Sequence, residues 1–197
     1  MGHAPENTIA SFTKALELGC DEVETDVWLD GDGGLFISHD RPKPGAHLTL
    51  DAVLDFCRGR MGVNVELKSE TSEGLARDTG ARVAMALAER GDPDVYVSSF
   101  WWSALEAARA AAPRVRRALL YVGAPDTGAL IATARAGELW ALHPNRSYVT
   151  PELVRASHDA GLRLNVWTVD DSDEIARFRE MGVDGLMSNF PERIPKD

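Results

Sequence analysis

The sequence predicts an α/β fold, specifically a (β/α)8 TIM barrel whose first strand is missing. Short apolar segments rich in β-branched residues alternate with alanine-rich helical segments along the chain, which is typical of parallel βαβ units. Seven such strands can be counted and the chain opens on a helix, whereas a closed barrel has eight strands and begins on one. An open doubly wound sheet is the alternative, but it usually carries a glycine-rich phosphate turn, and neither GxGxxG nor GxxxxGK[ST] occurs here.

The predicted elements follow from periodicity and from capping residues. Parallel strands are predicted at residues 23–29, 63–67, 95–100, 117–122, 139–143, 164–169 and 185–187. Residues 35–38 follow a glycine-rich turn and are predicted to be the return arm of a hairpin. Helices are predicted at residues 8–18, 50–57, 72–90, 103–112, 127–136, 151–160 and 171–181.

Composition limits the domain organisation and the partners. A chain of 197 residues supports one core, so a single domain over residues 1–197 is expected. The formal net charge of −10 argues against nucleic acid and against an anionic membrane surface, and no apolar run is long enough to span a bilayer. The only cysteines are Cys20 and Cys57, which favours a reducing, cytoplasmic compartment.

Glu24 and Asp26 stand two residues apart in the first predicted strand, so their side chains point to the same face. Parallel strands are covered on both faces, and two like charges there need a positive charge between them. Paired carboxylates suit Mg²⁺ or Ca²⁺, and a structural ion pair is an equally weighted alternative.

Three further residues stand at predicted strand ends, where barrels carry their catalytic groups. Glu66 can complete an all-oxygen metal site with Lys68 beside a phosphoryl oxygen, or both can form structural salt bridges. His39 is followed by Asp40, an acid that can orient its ring for acid–base work, although a lone histidine at a strand end is more often structural.

Together these residues resemble the glycerophosphodiester phosphodiesterase family, metal-dependent (β/α)8 barrels of the PLC-like phosphodiesterase type. The likeness runs from residue 4 to about residue 191, and its motifs stand in the family's order. They are APENT at residues 4–8, ETD at 24–26, SHD at 38–40, VELK at 65–68, VSSF at 97–100, NVWTV at 165–169 and VDGL at 183–186.

The resemblance implies hydrolysis of a small-molecule glycerophosphodiester, in lipid metabolism, to sn-glycerol 3-phosphate and an alcohol. One divalent cation, Mg²⁺ or Ca²⁺, offsets charge in the transition state, while one histidine activates the nucleophile and another protonates the leaving alkoxide. For Asn7, capping of the first helix is the alternative. The implied roles are metal ligation by Glu24, Asp26 and Glu66, acid–base catalysis by His39, and substrate binding or support by Lys68, Trp167, Glu6 and Asn7.

The sequence departs from the family pattern in three places. The family's first strand carries His-Arg before PENT, whereas this chain starts Met1-Gly-His3. An inactive barrel that binds metal and a phosphorylated ligand is therefore the alternative function, and a homo-oligomer in which a neighbour supplies the strand is a possible assembly. Only the Pro/Gly loop at residues 40–47 follows SHD, which predicts a more open pocket. Ser188-Asn189 replaces an acid, which predicts one polar contact fewer.

Overall fold

The computed structural model describes residues 2–41, 47–70 and 72–196, so the centre of the Pro/Gly loop lies outside the described residues. The chain divides into two compact units, His3–Arg117 and Ala118 onward together with Gly2. Every predicted strand and helix is present within about three residues of its predicted bounds. The single domain over residues 1–197 stays a prediction.

The first unit contains Glu24, Asp26 and Glu66, which lie on two neighbouring parallel strands. Its strands are Glu22–Leu29 (β1), Leu35–Ile37 (β2), Leu48–Thr49 (β3), Gly62–Leu67 (β4) and Val95–Ser99 (β5). Its helices are Ile9–Glu17 (α1), Leu50–Cys57 (α2), Glu73–Arg90 (α3) and Trp102–Ala111 (α4).

Strand pairing in this unit brings the predicted site together. β1 and β4 are parallel, with Asp26 opposite Glu66, and β4 is parallel to β5. β2 returns antiparallel beside β1, which confirms the predicted hairpin. The two-residue β3, which the sequence did not predict, pairs with β2.

A capping box begins α1, and a glycine allows α3 and α4 to pack closely. Thr8 caps α1 through a capping box with Ser11, so the alternative interpretation of Asn7 as the cap is wrong. Along α3, Gly80 faces α4 so closely that an added Cβ would lie 2.1 Å from the carbonyl oxygen of Ala104. Only glycine allows the two helices to approach this closely. β4 is buried along its whole length, as expected of a parallel strand covered on both faces.

The second unit repeats the alternation of strand and helix. Its strands β6 to β9 pair in parallel in chain order. They are Arg117–Tyr121 (β6), Ala141–Pro144 (β7), Arg163–Val166 (β8) and Gly185–Leu186 (β9). Its helices are Thr127–Ala136 (α5), Pro151–Asp159 (α6) and Ser172–Met181 (α7), with short 3-10 turns at Arg146–Tyr148 and Pro191–Arg193. Of the helices described in either unit, none has the length and apolar character that crossing a membrane requires.

Candidate metal centre

Three carboxylates of the first unit converge where β1 and β4 lie side by side. Glu24, Asp26 and Glu66 each offer an oxygen, and these oxygens all lie within 4.8 Å of one another. The convergence follows from strand geometry, because Asp26 and Glu66 are opposite each other on neighbouring strands. Glu24 precedes Asp26 by two residues, so both side chains point to the same face of β1. Asp26 and Glu66 are buried, whereas Glu24 is exposed as a whole residue although its carboxyl group is enclosed.

The Lys68 ammonium lies against this triad. Its Nζ donates to Glu66 Oε1 at 2.6 Å and lies 2.9 Å from Asp26 Oδ1. Burial acts to lower the pKa of Lys68, but the charges of Glu66 and Asp26 outweigh burial and raise it. Lys68 is therefore a fixed cation that neutralises part of the triad.

One ammonium does not balance three carboxylates. Burial raises the pKa of Glu24, and the charges of Asp26 and Glu66 raise it further. Burial also raises the pKa of Glu66, which Lys68 only partly offsets. An excess of negative charge on clustered hard oxygens is the donor set that Mg²⁺ or Ca²⁺ requires, so the residues present fit a divalent cation.

His39 follows β2 and lies at the edge of the triad. Its Nδ1 is 3.2 Å from Asp26 Oδ2 and 4.0 Å from Glu6 Oε2. Its side chain is 55% exposed, so the ring is accessible from outside. With Nδ1 directed at a carboxylate, Nε2 is the nitrogen left to exchange a proton with a bound molecule.

Asn7 lies in the loop before α1 and forms hydrogen bonds to β1. Its Nδ2 donates to Asp26 Oδ2 at 2.8 Å, and its Oδ1 accepts from the Asp26 backbone N at 3.0 Å and from Thr25 Oγ1 at 2.8 Å. Its φ of 56° lies in the left-handed region, which asparagine tolerates better than most residues. These contacts place Asn7 beside the metal ligands, and substrate binding by Glu6 and Asn7 stays a prediction.

Trp167 follows β8 in the second unit. Its Nε1 donates to the backbone oxygen of His143 at 2.7 Å. His143 is fully buried, its Nε2 lies 3.1 Å from Asn165 Nδ2, and burial lowers its pKa to about 3. No sequence pattern predicts this buried pair, because a histidine within an apolar strand has no distinguishing neighbour. The role of Trp167 in substrate binding stays a prediction.

The second unit also contains a cavity of about 510 Å³ beyond the carboxyl ends of β7 and β8. Asp170 lies in its wall and accepts hydrogen bonds from Ser188 Oγ, Asn189 N and Asn189 Nδ2, at 2.8–3.0 Å. Burial acts to raise the pKa of Asp170, but these hydrogen bonds lower it. Ser188 and Asn189 thus both form hydrogen bonds to Asp170. The cavity is lined by Asn145, Arg146, Thr168, Asp170, Asp171, Asn189 and Arg193.

Comparison with known proteins identifies relatives along almost the whole chain. A glycerophosphodiester phosphodiesterase of Caldanaerobacter subterraneus subsp. tengcongensis is 31% identical over 229 aligned residues, which cover 98% of this chain and 91% of the relative. One from Bacillus altitudinis is 27% identical and covers 99% of this chain and 93% of the relative.

Solved structures agree with the predicted fold class. An Oleispira antarctica phosphodiesterase in complex with the product sn-glycerol-3-phosphate has a TM-score of 0.85 at 28% identity, over 98% of this chain and 91% of that chain. A glycerophosphodiester phosphodiesterase from Parabacteroides distasonis, with a TM-score of 0.84 at 24% identity over 97% and 89% of the two chains, shares the fold. The predicted α/β fold of the TIM-barrel class is thereby confirmed. Residues 1–55 and 41–193 match the model of the glycerophosphoryl diester phosphodiesterase family, and the chain belongs to that family of phosphodiester hydrolases.

Proposed function

We propose that this protein hydrolyses glycerophosphodiesters to sn-glycerol 3-phosphate and an alcohol, with one divalent cation held by Glu24, Asp26 and Glu66. The observation that carries the proposal is the convergence of these three carboxylates within 4.8 Å, next to an accessible histidine. Membership of the family and the product bound to the Oleispira antarctica relative support the substrate class.

The two cationic groups of the site have separate tasks. A divalent cation held by Glu24, Asp26 and Glu66 would supply positive charge that offsets the negative charge of the phosphoryl group in the transition state. Lys68, whose side chain is 18% exposed, contributes a second positive charge to the phosphate from its position between Asp26 and Glu66.

His39 exchanges the proton. Its Nδ1 faces Asp26 Oδ2, so the carboxylate orients the ring. Nε2 then carries or accepts the proton of the attacking or leaving oxygen. Asn7 fixes Asp26 Oδ2 and the strand beside it, while Glu6 contributes negative charge at a greater distance from the ring. Trp167 is assigned to the substrate pocket by resemblance alone.

The compartment is part of the proposal. The chain has two cysteines, Cys20 and Cys57, and Cys57 is buried. So few cysteines in a chain of this length favour the reducing cytoplasm.

Release of sn-glycerol 3-phosphate from glycerophosphocholine tests the function, with Mg²⁺ or Ca²⁺ and then with chelator. Metal-dependent turnover is expected, and His39→Ala is expected to reduce it by about 10²–10⁴-fold because the proton-transfer group is lost. His158→Gln, at an exposed histidine paired with Asp184, is the matched control and retains activity.

Two outcomes would contradict the proposal. Turnover that survives both chelator and His39→Ala would come from a contaminating enzyme. Binding of Mg²⁺ and sn-glycerol 3-phosphate without turnover would instead identify a binding or regulatory protein on the same fold.

A further inference from the structure

Two buried polar side chains next to the acidic triad lack partners. Asn64 on β4 is 2% exposed, and neither its Oδ1 nor its Nδ2 has a hydrogen-bond partner among the described residues. Ser98 on β5 is completely buried, and its Oγ is likewise without a partner in the described part of the chain.

Strand register places both groups at the metal centre. Asn64 precedes Glu66 by two residues, so the two side chains share one face of β4, and Asn64 is directly opposite Glu24 on β1. Ser98 is directly opposite Glu66 on β5. Each unpartnered group therefore adjoins one of the three carboxylates.

A buried polar group without a hydrogen bond destabilises the fold, and an apolar side chain of the same shape would be tolerated better. The presence of Asn64 and Ser98 therefore calls for a partner other than the residues that the structure describes. Mg²⁺ gives up its water reluctantly and keeps several water ligands when carboxylates bind it. A buried water typically makes about three hydrogen bonds, which polar side chains must provide.

We propose that Asn64 and Ser98 bind the water molecules of the hydrated cation held by Glu24, Asp26 and Glu66, and so position that cation. The inference rests on the proposed metal site and deepens it. The Asn64 carboxamide provides both a donor and an acceptor, whereas the Ser98 hydroxyl can turn to provide either. Neither residue contacts the reacting atoms, so both are positioning residues.

The test replaces Asn64 by leucine, which has nearly the same branched shape and no polar atoms. Metal binding is measured by calorimetric titration with Mg²⁺ alone, without substrate, and stability by urea unfolding in chelator. We expect Mg²⁺ affinity to fall by about 10–100-fold, the usual effect of removing groups that support metal ligands. Stability in chelator is expected to be unchanged or higher, because an unsatisfied polar group has been removed from the core.

Thr79 provides the matched control. It lies on α3, is fully buried, and its Oγ1 also lacks a partner among the described residues. Thr79→Val removes a buried hydroxyl on α3, whereas the triad lies on β1 and β4. Stability in chelator is therefore expected to be unchanged or higher, and Mg²⁺ affinity is expected to be unchanged.

The Mg²⁺ affinity decides the result. If Asn64→Leu binds Mg²⁺ as the wild type does, the inference is overturned whatever its stability, and equal losses in Asn64→Leu and Thr79→Val overturn it as well. If Asn64→Leu does not fold, Ser98→Ala is measured instead, with a severalfold loss of affinity expected and wild-type affinity overturning the inference. A wild-type protein that binds neither Mg²⁺ nor Ca²⁺ contradicts the proposed metal site itself.

Discussion

Carboxylates near the carboxyl ends of parallel strands occur in both units, but their electrostatics differ. In the first unit, burial and neighbouring carboxylates raise the pKa of Glu24 and Glu66 despite Lys68. In the second unit, hydrogen bonds from Asn189 and Ser188 lower the pKa of Asp170. The difference lies in the partners: Asp170 is satisfied by its own chain, whereas the triad keeps an excess of negative charge. Of these two sites, the triad is the one with the properties of a cation site.

His39 of the first unit and His143 of the second differ in the same way. His39 is accessible and faces the carboxylate of Asp26. His143 is fully buried beside the amide of Asn165, and its low pKa keeps it uncharged. A histidine with a carboxylate partner and solvent access can exchange a proton, whereas one enclosed beside an amide serves the structure.

Glu66→Gln has the largest expected effect on the first unit. It keeps the shape of the side chain and removes one charge from the triad, so Mg²⁺ binding is expected to be lost and turnover to fall by about 10²–10³-fold. Calorimetry and the phosphodiesterase assay measure the two effects. Glu22→Gln is the control, because Glu22 shares the face of β1 but accepts a hydrogen bond from the Tyr96 hydroxyl instead. If Glu66→Gln binds Mg²⁺ as tightly as the wild type does, the triad does not differ from Asp170 as a cation site.

His143 predicts how acid destabilises the second unit. Its pKa is lowered from 6.5 to about 3, so between these values the unfolded chain binds a proton that the folded protein does not. The stability from neutral His143 is therefore present above pH 6.5 and is lost as the pH falls, by about 1.4 kcal/mol per pH unit. Urea unfolding at pH 6.5 and at about pH 4.5 measures the loss.

His143→Gln keeps an acceptor for Asn165 and has no titrating ring, so its stability is expected to fall less with acid. His158→Gln, at an exposed site, is expected to retain the wild-type dependence. Equal acid dependence in wild type and His143→Gln would mean that His143 is not kept neutral by burial.

Lys68→Met tests whether the Lys68 ammonium competes with a divalent cation for the oxygens of the triad. The ammonium lies on the oxygens that a divalent cation would use, so its removal is expected to raise Mg²⁺ affinity by about tenfold, or about 1.4 kcal/mol. Turnover is expected to fall, because the phosphate loses a positive charge. Lys14→Met, at an exposed lysine paired with Glu17, is the calorimetric control. Weaker Mg²⁺ binding in Lys68→Met would show that the lysine supports the cation instead of competing with it.

Substitutions of Asn7 have the smallest expected effect, a difference in stability between two variants. Asn7→Gly and Asn7→Ala both lose the side-chain hydrogen bonds to β1, but only glycine adopts a φ of 56° without strain. Asn7→Ala is therefore expected to be less stable than Asn7→Gly by about 1–2 kcal/mol. Urea unfolding of both variants measures this difference, and equal stabilities would indicate that the loop relaxes.

The sequence predicted the elements and the shared face of Glu24 and Asp26 because these depend on local periodicity. Glu66 stands at a strand end, and the resemblance to the family adds it to the metal site. The contact between Lys68 and Asp26 depends on the register of β1 against β4, which no local pattern encodes. The burial of His143 and the missing partners of Asn64 depend on neighbours distant in sequence. Asn7 and Thr8 are equally suitable caps by residue type, and only the backbone distinguishes them.

Asp26 uses its two oxygens differently: Oδ1 lies beside Lys68, whereas Oδ2 lies beside His39 and accepts from Asn7. In the proposed function, one carboxylate therefore contacts both the bound cation and the histidine that exchanges the proton. Replacing the cation by one that binds Asp26 differently is expected to move the His39 ring as well, because both contacts are made by the same side chain.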